Sequence, residues 1–334
     1  MEEPVSSASR PTLPDPWDGR GSILLDGPVE RVTTSPAQRH ARAILAGTLG
    51  LIFSFLLFQL VISPVFTIAL LLAKGVSLAD FSTPDAFTQL VEENVRELIM
   101  GNSAGQVLGL ALPSFLLARL HSRQIARLLR IRSVNWGLLG LALLGLVAFT
   151  PVVQWLGTIN QSLPLPDWLE AMEQTQMQLI EKVLDGGLGV TFNLAMLAVV
   201  PALCEEVLFR GYAQRQFERG LGAWGGIAAS GVLFGIYHLR FTQVLPLTAL
   251  GLYLAYLVWR TGSIWPAVVV HFANNAFSVL LANYFSARPD MDTQMLETMQ
   301  IPWYIVGAGV LVFAGLMAAL HQRARALQPG ASAG

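Results

Sequence analysis

Eight apolar stretches, each near the length that crosses a bilayer, constrain this chain more than any other feature. They run approximately over 43–73, 99–118, 136–159, 188–209, 222–239, 243–259, 263–284 and 303–320. A hydrocarbon core takes about 20 apolar residues of helix. The runs are too long and too continuous for barrel strands, and a lipid-embedded backbone must satisfy its own hydrogen bonds. The expected fold class is therefore all-α, a polytopic transmembrane helical bundle of about eight spans. Composition agrees: 53% of residues are hydrophobic and 13% charged, with a mean hydropathy of +0.53. A soluble domain carries about 25% charged residues.

Residues 1–40 are rich in Pro, Ser, Gly and Asp and show no apolar period. They read as a disordered tail, with no apolar core of a cleavable signal peptide. The domain organisation expected is a tail at 1–40, a membrane domain at 41–325 and a flexible tail at 326–334. Pro64 inside the first run is expected to kink it or to end its lipid-facing part. The loops 74–98 and 160–187 read as interfacial amphipathic helices. Trp155, Trp168, Trp265 and Trp303 sit near span ends, as interface anchors do.

With eight spans, the loops alternate between two sides. Sixteen of the 21 basic residues fall on the side of the termini, and only Lys74, Arg96, Lys182, Arg240 and Arg288 fall opposite. Basic loops stay cytoplasmic, so both termini are expected there, in a membrane of bacterial inner-membrane type. One more or one fewer span would spoil this asymmetry. The single cysteine, Cys204, allows no internal disulfide and no multi-cysteine zinc site. It reads as a buried, inert residue.

Three local patterns put polar groups where lipid or packed helix should be. The first is Glu205-Glu206 with Arg210 and Gly211, following the apolar run 188–204. Residues i and i+4 share a helical face, so Glu206 and Arg210 can pair while Glu205 is turned about 100° away. The second is Phe234 with His238, at the far end of an apolar segment. The third is His271 with Asn275, on one helical face inside the run 263–284. Each alone has an ordinary explanation: headgroup water for the acids, interface packing for His238, helix–helix hydrogen bonding for His271 and Asn275. Together they supply a carboxylate, two histidines and an amide on separate spans, around an enclosed polar cavity. Such groups can take a proton from water and donate to an oxyanion. Neither a Gly-x-Ser-x-Gly turn nor a His-Glu-x-x-His helix occurs.

These ordered motifs, with Ser263-Ile264-Trp265-Pro266-Ala267 ahead of the last, resemble the CAAX protease and bacteriocin-processing (CPBP) family, which includes the Ras-converting CAAX endopeptidase. The resemblance covers about residues 190–284. It implies an all-helical membrane fold with a water-filled cavity and a glutamate-dependent intramembrane endopeptidase. By the resemblance, Glu205 and His238 would activate water, and His271 and Asn275 would form the oxyanion site. Glu206, Arg210 and Phe234 would support that geometry. The implied mechanism needs no cofactor, although Glu205, His238 and His271 could ligate Zn²⁺, the alternative kept here.

The partners expected are the lipid bilayer and a membrane-embedded or membrane-anchored peptide or protein substrate, with no nucleic acid. Two other functions compete. One is a non-catalytic scaffold or bacteriocin self-immunity protein on the same fold. The other is a transporter, since intramembrane acids also mark ion paths, although the chain shows no repeated halves.

Overall fold

The computed structural model describes residues 35–77, 93–174, 187–286 and 301–327, together with positions 90, 177 and 288. Most of these residues are helical, with no strand among them. Seven helices are long and apolar enough to cross a membrane: α1 Pro36–Lys74, α2 Val95–His121, α3 Trp136–Gln161, α4 Val190–Tyr237, α5 Phe241–Thr261, α6 Trp265–Ser286 and α7 Trp303–Ala326. The chain is an integral membrane protein.

The fourth helix accounts for two of the eight apolar stretches. It is broken at Gly222, whose φ of 77° and ψ of 174° suit a residue without Cβ. There the chain turns back on itself. A Cβ on Gly226 would lie 2.7 Å from the backbone nitrogen of Glu218. In a straight helix those residues would stand about 12 Å apart. Helix α5 registers both arms. Gly231 and Gly235 let the second arm (223–237) approach the backbone at Leu252 and Thr248, an antiparallel pairing. Arg210 Nη2 donates to Gly251 O at 3.1 Å and Gln214 Nε2 to Ala255 O at 3.0 Å, so the first arm (190–221) runs parallel to α5. The two arms of α4 are thus consecutive, oppositely directed segments.

Proline explains three irregular turns. The π-helical segments Leu57–Ile62, Gln106–Ala111 and Leu194–Val199 end just before Pro64, Pro113 and Pro201. Proline has no N–H and its ring crowds the carbonyl four residues back, and a widened turn absorbs both defects. Pro64 consequently leaves α1 continuous. A fourth π segment, Val207–Ala213, has no such proline and follows directly on Glu205-Glu206.

The first helix starts inside the stretch read as a tail. Ser35 caps it, with Ser35 Oγ accepting from Gln38 N and Gln38 Oε1 accepting from Ser35 N. Residues 36–40 are therefore helical, because this reciprocal cap and Pro36 in the first turn start a helix before the apolar period begins. Residues 1–34, 328–334 and much of the 78–92 and 175–186 loops lie outside the described residues. Of the second amphipathic loop, 167–174 is helical. Two apolar cores flank the first arm of α4. One gathers Leu250, Leu254, Leu257, Val258 and Val270 around α3 and α7. The other packs Leu208, Phe209, Phe217 and Phe234 against Leu51, Phe58 and Leu110.

Candidate active site

Glu205 and Glu206 sit midway along the first arm of α4, where every residue from Cys204 to Gln214 is buried. Successive residues on a helix point about 100° apart, and the two acids meet different neighbours. Glu206 and Arg210 are both wholly buried, and Arg210 Nη1 donates to Glu206 Oε1 at 2.8 Å. Arg210 also lies over the Phe234 ring, its Cζ 4.2 Å from the centroid, a cation–π contact. Its other nitrogen takes the Gly251 carbonyl, so one guanidinium ties together the first arm, the second arm and α5. Among the described residues, Glu206 Oε2 and Arg210 Nε have no hydrogen-bond partner.

Glu205 points toward two imidazoles. Its Oε2 lies 3.8 Å from His238 Nε2 and 4.0 Å from His271 Nε2, and it has no hydrogen-bond partner among the described residues. Both rings are held by their other nitrogen. His238 Nδ1 is 2.8 Å from Phe234 O, a carbonyl that can only accept, so Nδ1 donates and Nε2 is the nitrogen that faces Glu205. His271 Nδ1 is 2.9 Å from Glu206 Oε1, the oxygen already accepting from Arg210. Its Nδ1–H therefore donates to that carboxylate, and its Nε2 also turns to Glu205. The Phe234 ring packs edge-on against both imidazoles, with centroids 4.7 and 5.7 Å away.

The second arm of α4 is what brings His238 to this depth. It has about as many residues as separate Glu205 from Gly222, so its end returns to the level of Glu205. Beyond it Leu239 takes a φ of 52° and the chain turns. That turn is anchored: Glu173 accepts from Thr242 N at 2.9 Å and from the Thr242 hydroxyl, while Asn160 bridges Phe241 O and Leu245 N at 2.8 and 2.7 Å.

Six of the seven residues singled out from sequence thus form one cluster. Asn275 stands one turn from His271, and its Nδ2 donates to Leu197 O at 3.3 Å rather than to the cluster. Three features were not legible in the motifs: the Glu206–His271 contact, the Gly251 carbonyl and the Glu173 anchor. Only the first had a signal, since Arg210 cannot occupy every lone pair of a buried carboxylate.

Two histidines converge on Glu205, making three candidate metal donors, yet among the described residues no group of three or more His, Cys, Asp or Glu side chains is arranged to hold a metal ion. Donors bound to one tetrahedral zinc at about 2.0–2.1 Å stand about 3.3 Å apart. The separations here are wider, at 3.8 and 4.0 Å.

Comparisons with known proteins fall on the same segment. Residues 187–277 match the Type II CAAX prenyl endopeptidase Rce1-like family. A Bacillus subtilis protein, YdiL, named provisionally as a membrane peptidase, is 29% identical over 102 residues, which is 30% of this chain and 41% of the relative. The match therefore spans less than half of that curated relative. No solved structure matches the chain. The segment similar to the Rce1-like CAAX prenyl endopeptidase family, residues 187–277, holds Glu205, Glu206, Arg210, Phe234, His238, His271 and Asn275.

Proposed function

We propose that this protein is an intramembrane endopeptidase of the glutamate-dependent kind, hydrolysing peptide bonds of membrane-embedded or membrane-anchored substrates. The observation that carries the reading is the convergence of Glu205 Oε2 with the free Nε2 atoms of His238 and His271. Gaps of 3.8 and 4.0 Å exceed a hydrogen bond and suit a substrate water bridging carboxylate and imidazole.

In this mechanism Glu205 takes a proton from that water as its oxygen attacks the scissile carbonyl, with His238 Nε2 accepting from the same water. The tetrahedral oxyanion is met by His271 and Asn275. His271 can donate from Nε2 only as the imidazolium, since its Nδ1–H is already given to the Glu206 carboxylate. Asn275 must release Leu197 O to contribute. Glu205 then returns its proton to the leaving amine, so the water is divided between the new acid and the new amine. Arg210 balances the Glu206 charge and keeps that carboxylate oriented.

The distribution of arginines supports cytoplasmic termini, and the proposed setting is a membrane of bacterial inner-membrane type. The mechanism has no metal step, so turnover should persist after exhaustive EDTA treatment. Loss restored by Zn²⁺ would move Glu205, His238 and His271 into the role of ligands. The function itself is tested by comparing membrane peptides, by mass spectrometry, between wild-type and Glu205→Ala cells. Fragments present only in the wild type are expected. An unchanged peptide set with an intact cellular phenotype would leave the scaffold reading standing.

A further inference from the structure

A polar cavity lies away from the cluster, where the 132–135 loop meets the ends of α5 and α7. It has a volume of about 360 Å³ and is lined by Arg132, Ser133, Asn135, Trp259, Arg260 and Leu327, among others. None of its lining residues is acidic. Among the described residues, its two guanidinium groups donate to backbone carbonyls: Arg132 to Gly262 O and Thr261 O, and Arg260 to His321 O.

Three observations make this an electropositive site rather than a solvated loop. Arg260 is only 8% exposed, and its Nε has no hydrogen-bond partner among the described residues. Burial, with Arg130 and Arg127 close by, holds Arg132 below the ordinary arginine range. A third guanidinium, that of Arg323, stands beside Gly137 in the first turn of α3, where a Cβ would lie 2.6 Å from its Cζ. The first turn of that helix adds its positive dipole end, while its N–H groups at Gly137 and Leu138 are already capped by Asn135. Leu327 of the lining, and Trp136 next in sequence to the lining residue Asn135, are exposed apolar side chains. Arginines under aromatic and aliphatic side chains at a helix end match the headgroup level of a bilayer.

We propose that this cavity binds a phosphate group, supplied by the headgroup of an anionic phospholipid from the adjoining leaflet. The arginines would form bidentate, charge-assisted hydrogen bonds to the phosphodiester. Trp136, Trp259 and Leu327 would lie along the glycerol and the start of the acyl chains. The bound lipid would tie the end of α7 to α3 and α5.

The test uses the full chain in nanodiscs of phosphatidylcholine, with or without phosphatidylglycerol. The readouts are lipids retained in native mass spectrometry and the unfolding temperature. Phosphatidylglycerol is expected to be retained selectively and to raise the unfolding temperature. Ser133→Glu puts a carboxylate at an exposed position of the lining without removing a hydrogen bond, and should lower that retention about tenfold. Arg132→Gln with Arg260→Gln should abolish it. Equal retention of both lipids, or undiminished retention by Ser133→Glu, overturns the proposal. Millimolar inorganic phosphate in phosphatidylcholine discs forms the other arm. Protection matching that of phosphatidylglycerol would assign the site to free phosphate and overturn the lipid source.

Discussion

Adjacent glutamates with different neighbours are the residue-scale core of the account. Glu206 is committed: it takes Arg210 and His271 on one oxygen and is wholly buried. Glu205 is uncommitted, with its Oε2 facing two imidazole nitrogens at non-bonding distance. The sequence foreshadowed this split, because i,i+4 spacing pairs Glu206 with Arg210 and turns Glu205 elsewhere. It did not foreshadow His271 on Glu206, since nothing in one-dimensional spacing relates α6 to α4. Asn275 shows the limit from the other side. Its spacing puts it on the His271 face, but a side-chain amide satisfies itself on the nearest carbonyl, here Leu197. A buried ion pair is costly to break and of little net worth to keep. Arg210→Met should therefore destabilise the protein by about 3–5 kcal/mol, by stranding the Glu206 charge. Arg210→Met with Glu206→Leu should recover much of that loss. Chemical or thermal unfolding in detergent measures both, and equal stability of the two variants would contradict the pairing.

At the scale of elements, the break at Gly222 does the positioning. Eight apolar runs were legible because each is a continuous stretch of side chains suited to lipid. The depth at which each run ends was not, because depth depends on how arms pack. Gly222 could be read as a tolerated glycine. Its φ of 77° and ψ of 174° show that it reverses the chain so that His238 returns to the level of Glu205. The π turns were equally hidden, although Pro64, Pro113 and Pro201 mark three of them in retrospect. A Cβ at position 222 meets no neighbouring atom, so any cost of Gly222→Ala comes from backbone conformation alone. That cost is about 1–3 kcal/mol. The variant should also lose turnover beyond what its stability explains, as His238 shifts from Glu205. Assays well below its unfolding temperature separate the two effects. Full turnover in a destabilised Gly222→Ala would mean that the hairpin does not set the catalytic spacing.

For the whole molecule, reversal at Gly222 divides the seven long helices into eight segments, and eight crossings would put both termini on one side, the placement proposed from the arginine asymmetry. The native cysteine, Cys204, is buried, so introduced cysteines can be labelled selectively. Ser35→Cys and Leu327→Cys, made separately, should both react with a membrane-impermeant maleimide in inverted vesicles and neither in intact spheroplasts. Reaction from opposite sides would require an odd number of crossings and undo the placement of the α4 arms.

The central claim is that Glu205, and not its neighbour, handles the water. The direct measurement is cleavage of a defined transmembrane peptide by purified protein in proteoliposomes, comparing wild type, Glu205→Gln and Glu206→Gln at matched folded fraction. Glu205→Gln keeps the shape of the side chain and removes the base. It should lower kcat by about 10²–10⁴-fold, with the unfolding temperature nearly unchanged. Glu206→Gln should lose stability and retain measurable turnover. Full activity in Glu205→Gln, with Glu206→Gln folded and inactive, would contradict the account and exchange the two roles.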